Sequence, residues 1–270
     1  MRVACVQVAL VDGEIEANRD RVLRMTEQAL WERPDLVVLP ELATSCYSTE
    51  DYALVAEPRD GPTVEALATL AAATGASILV GLVILNSEGR PQNASYLIGP
   101  AGVIGTYAKT HLCVNEAAHV DESTAFAPGQ TLGLLDVADV RLGVMICYDG
   151  HHGELPVTLV NQGAELLVWL NNRMYMAPWE PAALALFNRI PVAAVNRVGL
   201  AAPQPEGEPP RIYRGVSALV DHEGQPIATA VGDEEAVVVG DVDVEAGRVR
   251  RASHVLNTQQ SRRPDLYISD

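Results

Sequence analysis

Short apolar runs alternate with helical segments along this chain of 270 residues, and that alternation constrains the fold more than any other feature. Residues 36–39, Leu-Val-Val-Leu, are apolar at every position, which is typical of a strand buried on both faces of its sheet. Amphipathic patterns predict helices over about residues 18–32, with Asn18 as the N-cap, and over residues 63–74, ended by Gly75. Together these patterns predict an α/β fold in which helices cover the sheets.

The domain organisation follows from the same rhythm. The chain carries no linker-like stretch, so residues 1–270 are predicted to form one domain. Its two halves repeat the pattern of strands and helices, which indicates two sheets packed as layers. Residues 202–211 are rich in Pro, Gly and Glu, and we expect them to form an exposed loop.

The composition excludes several classes of function. A formal charge of −16 disfavours nucleic acid and anionic membranes as partners. The phosphate-binding patterns G-x-x-x-x-G-K-[ST] and G-x-G-x-x-G do not occur. No apolar run reaches the roughly 18 residues that a membrane span needs. The four cysteines are scattered, as in proteins of a reducing compartment, so we expect a cytoplasmic protein.

Cys147 occupies a position at which an exposed nucleophile is often presented. It ends the apolar run Leu142-Gly143-Val144-Met145-Ile146, and a polar turn separates it from a helical pattern that resumes near Glu154. Taken alone, a free cysteine is more often a small buried hydrophobe than a nucleophile. That interpretation is kept for Cys5, Cys46 and Cys113, since no C-x-x-C pair suggests a redox or zinc site.

Two further polar residues follow apolar strands, as Cys147 does. Glu41 comes after residues 36–40, and Lys109 comes after the strand that ends near Tyr107. Ligands of open α/β folds bind beyond the carboxyl ends of strands, so the three side chains could converge there. A carboxylate can take the proton of a thiol, and an ammonium group with the backbone N–H of Tyr148 can stabilise an oxyanion. The alternative for each residue by itself is a solvated charge at a strand end.

Several separated motifs resemble the carbon–nitrogen hydrolase (nitrilase) superfamily, and they occur in the family's order along nearly the whole chain. They are Leu39-Pro40-Glu41-Leu42 with Tyr47, Tyr107-Ala108-Lys109-Thr110-His111-Leu112, Phe126-Ala127-Pro128-Gly129, Cys147-Tyr148-Asp149 and Gly215-Val216-Ser217. The resemblance implies a four-layer αββα sandwich, commonly dimerised. It also implies that Glu41 is the general base, Lys109 the stabiliser of the oxyanion and intermediate, and Cys147 the nucleophile.

The family often adds a second glutamate shortly before its Phe-x-Pro-Gly segment. Glu122 holds that spacing here and is predicted to orient Lys109 or the substrate amine, with Glu116 as the rival candidate. In the branch that hydrolyses N-carbamoyl-D-amino acids, arginines just after Cys-x-Asp grip the substrate carboxylate. Gly150 and His151 stand at those positions here, which weakens that assignment.

The expected reaction is hydrolysis of a small amide or carbamoyl compound through a cysteine thioester, without metal or organic cofactor. Substrate contacts are predicted for five residues in the strand-end loops: Tyr47, Tyr148, His151, Asn171 and Asn172. Two alternatives stay open, a nitrilase that uses the same residues and a catalytically weak binding or scaffold protein with the same fold. A homodimer or larger homo-oligomer is expected by resemblance, with residues 245–270 in dimer contacts.

Overall fold

The first sheet joins the N-terminal half of the chain to a strand from near its end. A computed structural model describes residues 1–47, 51–115, 120–201, 212–252 and 261–266. In chain-order numbering, the strands of this sheet are β1 (Arg2–Gln7), β2 (Leu36–Val38), β3 (Ser77–Leu85), β4 (Pro91–Gly99), β5 (Gly102–Ala108) and β15 (Ala236–Asp241). Their spatial order is β15-β1-β2-β3-β4-β5, and β1, β2 and β3 run parallel.

The second sheet comes from the C-terminal half. Its strands are β8 (Leu134–Val137), β9 (Val140–Ile146), β10 (Leu166–Leu170), β11 (Val192–Val195), β12 (Val198–Leu200), β13 (Ile212–Val220) and β14 (Pro226–Val231). Their order is β12-β13-β11-β10-β9-β8, with β14 paired to β13, and the central strands β9, β10 and β11 are parallel. A separate two-stranded ladder joins β6 (Val114–Asn115) to β7 (Val120–Asp121).

Helices cover the outer face of each sheet. The α-helices are α1 (Ile15–Leu30), α2 (Pro62–Thr74), α3 (Glu122–Ala125), α4 (Glu154–Asn161), α5 (Glu180–Asn188) and α6 (Val244–Ala252). Apolar side chains of α1 and α2 share a core with the first sheet, those of α4 and α5 share one with the second sheet, and a third core lies between the two sheets. The layers therefore follow the order αββα, which confirms the predicted four-layer sandwich.

Strand alternation divides side chains between these cores. In β9, Val144 and Ile146 point into the core between the sheets, whereas Met145 packs under the helices of the second sheet. Successive side chains of a strand point to opposite faces, and both faces of β9 are buried from Leu142 onward, so residues 142–146 are all apolar. Cys5 and Cys46 are fully buried, as expected for packing residues, whereas Cys113 is partly exposed.

The predicted role of Asn18 as an N-cap is wrong. The helix α1 begins three residues earlier, at Ile15, and Asn18 is fully buried inside it. Its amide accepts a hydrogen bond from the N–H of Val11 at 2.9 Å and donates to the carbonyls of Val11 at 2.7 Å and Thr44 at 2.9 Å. An asparagine side chain carries the same donor and acceptor as a peptide group, so here it joins two loops instead of ending a helix.

Three further predictions concern membrane spans, the C-terminal tail and the extent of the domain. None of the helices in the described ranges has the length and apolar composition of a membrane span. Within residues 245–270, the structure describes the rest of α6 and a 3-10 turn at Pro264–Leu266. The participation of this tail in dimer contacts, and the extent of one domain over residues 1–270, stay predictions.

A glycine in β3 permits the close approach of the loop that carries Glu41. A Cβ atom built on Gly81 would lie 2.6 Å from both the Cα of Glu41 and the carbonyl oxygen of Pro40. We expect Gly81→Ala to destabilise the protein by about 1–3 kcal/mol, because backbone must move to admit the methyl group. Chemical denaturation measures this, and activity should fall as well because Glu41 is displaced.

Gly153→Ala is the matched control for that substitution. A Cβ atom on Gly153 would meet nothing within 4 Å, so its stability should change by no more than about 0.5 kcal/mol. Equal losses in the two variants would contradict the argument that close packing at Gly81 positions Glu41.

Candidate active site

The three predicted strand-end residues meet between the sheets. Glu41 follows β2 and Lys109 follows β5, both in the first sheet, while Cys147 follows β9 in the second. The Lys109 Nζ atom lies 2.9 Å from Glu41 Oε1 and 2.8 Å from Glu122 Oε2. The side chains of Lys109 and Glu41 are completely buried. Two carboxylates, an ammonium group and a thiol from four distant chain segments thus occupy one site, in which the thiol of Cys147 interacts electrostatically with the other three groups.

The backbone at Cys147 is held in a conformation that side chains disfavour. Its φ angle is +48°, in the left-handed region, where β9 passes into the 3-10 turn Cys147–His151. Trp169 Nε1 donates to the Cys147 carbonyl at 2.8 Å, and Gly150 lies so close to the Trp169 ring that a Cβ atom there would collide with it. Such a sharp turn from strand to helix is a known way to expose a nucleophile at the top of a sheet.

The two carboxylate oxygens of Glu41 have different surroundings. Oε1 accepts hydrogen bonds from Tyr47 Oη at 2.7 Å, Asn93 Nδ2 at 2.7 Å and Lys109 Nζ at 2.9 Å. Oε2 is buried and has no hydrogen-bond partner among the residues that the structure describes. Buried polar atoms are nearly always paired, so an unpaired carboxylate oxygen is positioned to accept a proton during a reaction.

Glu122 completes the cluster from the first turn of α3. Its Oε1 accepts from Tyr47 Oη at 3.0 Å and from Asn93 Nδ2 at 2.9 Å, and its Oε2 accepts from the Cys113 N–H at 2.6 Å. The side chain of Glu122 is only 1% exposed and pairs with Lys109. The structure therefore brings Glu122 to Lys109, whereas the rival candidate Glu116 lies outside the described residues.

The charges in this cluster perturb one another strongly. Burial by itself lowers the pKa of Lys109, but the Glu41, Cys147 and Glu122 groups outweigh it and hold that pKa well above its usual value. Burial raises the pKa of the Cys147 thiol well above its usual value, and the charge of Glu41 raises it further while that of Lys109 lowers it. Lys109 is therefore an ammonium group and Cys147 a neutral thiol at neutral pH.

Asn93 is a residue of this cluster that the sequence analysis missed. It lies on β4, is fully buried and donates from one amide nitrogen to both Glu41 and Glu122. The signal available in the sequence was a polar amide at the edge of an apolar strand, just before Ala94. Such a residue needs a partner when buried, although the sequence does not say which one.

The predicted substrate contacts divide into two groups: three side chains with rings, which are Tyr47, Tyr148 and His151, and the two asparagines that follow β10. Tyr47 bridges Glu41 and Glu122, and the Tyr148 ring packs against His151 and His152. His151 also lines a groove of about 550 Å³ between α4 and α5. These positions are compatible with a pocket wall, and substrate binding by these side chains stays a prediction.

Two consecutive asparagines follow β10, at the end of the strand beside β9. Asn171 Nδ2 donates to the carbonyls of Trp169 at 3.1 Å and Val195 at 3.3 Å, and Asn172 Nδ2 donates to the carbonyl of Glu41 at 3.1 Å. Their Oδ1 atoms are buried, with no hydrogen-bond partner in the described part of the chain. Asn172 therefore supports the loop that carries Glu41 directly, and both amides keep an acceptor that a ligand could use.

The histidines near Cys147 pack against one another. The rings of His111 and His152 stack with centroids 4.0 Å apart, and His111 Nδ1 lies 3.0 Å from Asp149 Oδ1. Within residues 1–47, 51–115, 120–201, 212–252 and 261–266, no group of three or more His, Cys, Asp or Glu side chains is arranged to hold a metal ion.

Comparison with known proteins assigns the family. The model of the family described as carbon-nitrogen hydrolase matches residues 2–251. The chain belongs to the carbon–nitrogen hydrolase family. This hydrolase is 29% identical to an (R)-stereoselective amidase of a Pseudomonas species, a match that covers 98% of this chain and 96% of the amidase. It is also 29% identical to the omega-amidase NIT2 of Xenopus tropicalis, again over 98% and 96% of the two chains.

A solved structure supports the same assignment. The carbon–nitrogen hydrolase superfamily protein XC1258 of Xanthomonas campestris superimposes with a TM-score of 0.82 at 27% identity, covering 96% of each chain. The likeness therefore extends over nearly the whole chain, and so over both sheets. The predicted family and fold are confirmed, and the protein is a carbon–nitrogen hydrolase enzyme.

The protonation of Cys147 can be measured directly. Because its pKa lies well above the usual thiol value near 9, the thiolate fraction should still be rising at pH 9 and beyond. We expect the second-order rate of alkylation of Cys147 by iodoacetamide to increase throughout this range without the plateau of a free thiol. Mass spectrometry of the modified peptide separates Cys147 from the partly exposed Cys113. A plateau below pH 8 would mean that a preformed thiolate is present.

Proposed function

We propose that this enzyme hydrolyses a small amide or carbamoyl compound through a thioester on Cys147. The observation that carries the proposal is the arrangement of Glu41, which has one oxygen fixed by three donors and the other buried and unpaired in the described structure. A carboxylate held this way beside a neutral thiol is suited to move a proton in both directions.

The first half of the reaction forms the thioester. Glu41 takes the proton of the Cys147 thiol as the sulfur attacks the carbonyl carbon, and the carbonyl π electrons move to oxygen. Lys109 and the backbone N–H of Tyr148 stabilise the oxyanion. Tyr148 is the second residue of the 3-10 turn, so its N–H has no acceptor within that turn. When the tetrahedral intermediate collapses, the carbon–nitrogen bond breaks and ammonia or an amine leaves with the proton from Glu41.

The second half returns the enzyme to its starting state. Glu41 removes a proton from a water molecule, whose oxygen attacks the thioester carbonyl at the same position. Collapse of the second tetrahedral intermediate breaks the carbon–sulfur bond and releases the acid, and the proton on Glu41 returns to the sulfur of Cys147. Glu122 keeps Lys109 in place throughout, because it contributes the second carboxylate of the buried cluster.

An amide or carbamoyl substrate fits better than a nitrile or an N-carbamoyl-D-amino acid. The amidase names of the two relatives support amide cleavage. His151 stands where an arginine would grip a carboxylate, and burial together with the charge of Arg173 lowers its pKa below the usual value. An uncharged imidazole at neutral pH provides no replacement for that arginine.

Ammonia release from a panel of amides, carbamoyl compounds and nitriles tests the proposal. We expect turnover of at least one amide or carbamoyl compound and a loss of kcat of at least about 100-fold in Glu41→Gln, because the amide cannot accept the thiol proton. Turnover of nitriles alone would identify a nitrilase. Inactivity on the whole panel, with Cys147 unreactive to iodoacetamide, would favour a binding or scaffold protein.

Glu57→Gln is the matched control for Glu41→Gln. Glu57 is also buried, but it accepts from the backbone N–H of Thr63 at 2.8 Å and from its hydroxyl at 2.5 Å, at the start of α2. This variant should lose stability while keeping its kcat. Equal losses of kcat in both variants would indicate a general effect of removing a buried carboxylate.

We infer that the enzyme is a cytoplasmic homodimer joined through the outer face of α5. Phe187 and Trp179 are 77% and 68% exposed, and both border the groove between α4 and α5. The groove lining includes the apolar Pro156, Val157 and Ala183 beside the charged Arg173 and Glu180. Protruding aromatic rings next to apolar side chains suit a two-fold contact, in which each copy offers both parts. Four free cysteines in the sequence are consistent with a reducing compartment.

A charged residue at this face should separate the dimer. We expect Phe187→Glu to shift the mass measured by light scattering from two chains to one, because it would bury unpaired carboxylates at the contact. Trp31→Glu is the control, since Trp31 is 79% exposed on the opposite outer layer, at the end of α1. A wild-type protein with the mass of one chain would contradict the proposed dimer.

A further inference from the structure

Asp149 is a buried carboxylate that takes no part in the proposed proton transfers, yet four hydrogen-bond donors and the ring nitrogen Nδ1 of His111 converge on it. It lies in the turn after Cys147 and is completely buried. Its Oδ2 accepts from the N–H of Ile146 at 2.9 Å and from Tyr107 Oη at 2.7 Å. Its Oδ1 faces the N–H of His111 at 3.0 Å, Thr110 Oγ1 at 3.1 Å and His111 Nδ1 at 3.0 Å.

The two oxygens connect different loops. Oδ2 binds the residue immediately before the nucleophile, at the end of β9 in the second sheet. Oδ1 binds the two residues that follow Lys109, at the end of β5 in the first sheet. One side chain thereby ties the loop that presents the thiol to the loop that presents the ammonium group.

A carboxylate is required for this link, because each oxygen faces one backbone N–H. The hydroxyls of Tyr107 and Thr110 and the ring of His111 can donate or accept, depending on rotamer or tautomer. The N–H groups of Ile146 and His111 can only donate. An asparagine could therefore satisfy one of the two loops, and its NH2 group would oppose the backbone N–H of the other.

We propose that Asp149 is a positioning residue that sets the thiol of Cys147 relative to the ammonium group of Lys109. The left-handed backbone of Cys147 is disfavoured by itself, so it needs external support of this kind. Asp149 also closes its own turn, since its carbonyl accepts the N–H of His152 at 3.2 Å. The inference rests on the proposed function, in which both groups act on the same carbonyl.

On the lysine side, the loop is fixed at several points besides Asp149. The Lys109 N–H donates to the Asn93 carbonyl at 2.9 Å, and the Gly129 N–H donates to the Lys109 carbonyl at 2.8 Å. The lysine backbone is thus anchored within the first sheet. Movement after loss of the link is expected at the cysteine turn, which is why the thiol and not the lysine should be misplaced.

The test compares Asp149→Asn with the double variant Tyr107→Phe/Thr110→Val. Asp149→Asn should lower kcat about 10- to 100-fold with KM within about twofold, because substrate still binds but the thiol is misplaced. The double variant removes two side-chain donors and keeps the carboxylate and both backbone links. It should keep kcat within about threefold even where its melting temperature falls as far as that of Asp149→Asn.

Either of two results would overturn the inference: wild-type kcat in Asp149→Asn, or losses of kcat in both variants that follow their melting temperatures. A wild-type enzyme without activity would instead count against the proposed function. Hydrogen exchange on the unmodified protein covers the case in which Asp149→Asn fails to fold. Slow exchange of both the Ile146 and His111 amides supports the link, and fast exchange of either one contradicts it.

Discussion

The buried contact of Lys109 with Glu41 and Glu122 is the interaction on which the rest of the structure depends. Charges removed from water are costly, and they persist here because each is paired and hydrogen-bonded. One lysine between two carboxylates leaves a net charge of about −1, so further donors are needed. Tyr47 and Asn93 supply them, and each one donates to both carboxylates. The pairing therefore fixes one oxygen of Glu41 while the other is left for chemistry.

The four-layer arrangement explains how such a cluster can form. Residues of one sheet alone could bring Glu41 and Lys109 together, because β2 and β5 belong to the same sheet. Cys147, the proposed nucleophile, comes from the second sheet, and its distance from Lys109 depends on how the two sheets are packed. The apolar core between the sheets sets that packing over a wide area, and Asp149 sets it locally at the strand ends. The apolar core and the Asp149 link are both needed, because apolar contacts have no directional preference and cannot fix the strand ends by themselves.

The sequence predicts only part of this site, and there is a physical reason why some of its residues could be predicted and others could not. Strand-end positions of Glu41, Lys109 and Cys147 follow from local hydrophobic patterns, so they and the layered fold could be predicted. Asn93 and Asn18 could not, because their partners lie 52 residues away at Glu41 and 26 residues away at Thr44. Local patterns made Asn18 look like a helix cap, whereas tertiary contacts place it inside the helix. Polar residues that join distant loops leave no periodic signal in the chain.

The neutral state of Cys147 is a consequence of this same cluster. An ammonium group beside a thiol would ordinarily favour the thiolate, but Lys109 is already paired with two carboxylates. Burial and the charge of Glu41 therefore dominate, and the thiol keeps its proton until a substrate arrives. The unpaired oxygen of Glu41 is then needed to take the thiol proton, in addition to its proposed part in protonating the leaving amine and activating water. After burial, the charge of Glu41 does most to keep the thiol protonated, and the same carboxylate is proposed to remove that proton, so the protonated thiol always has a base beside it.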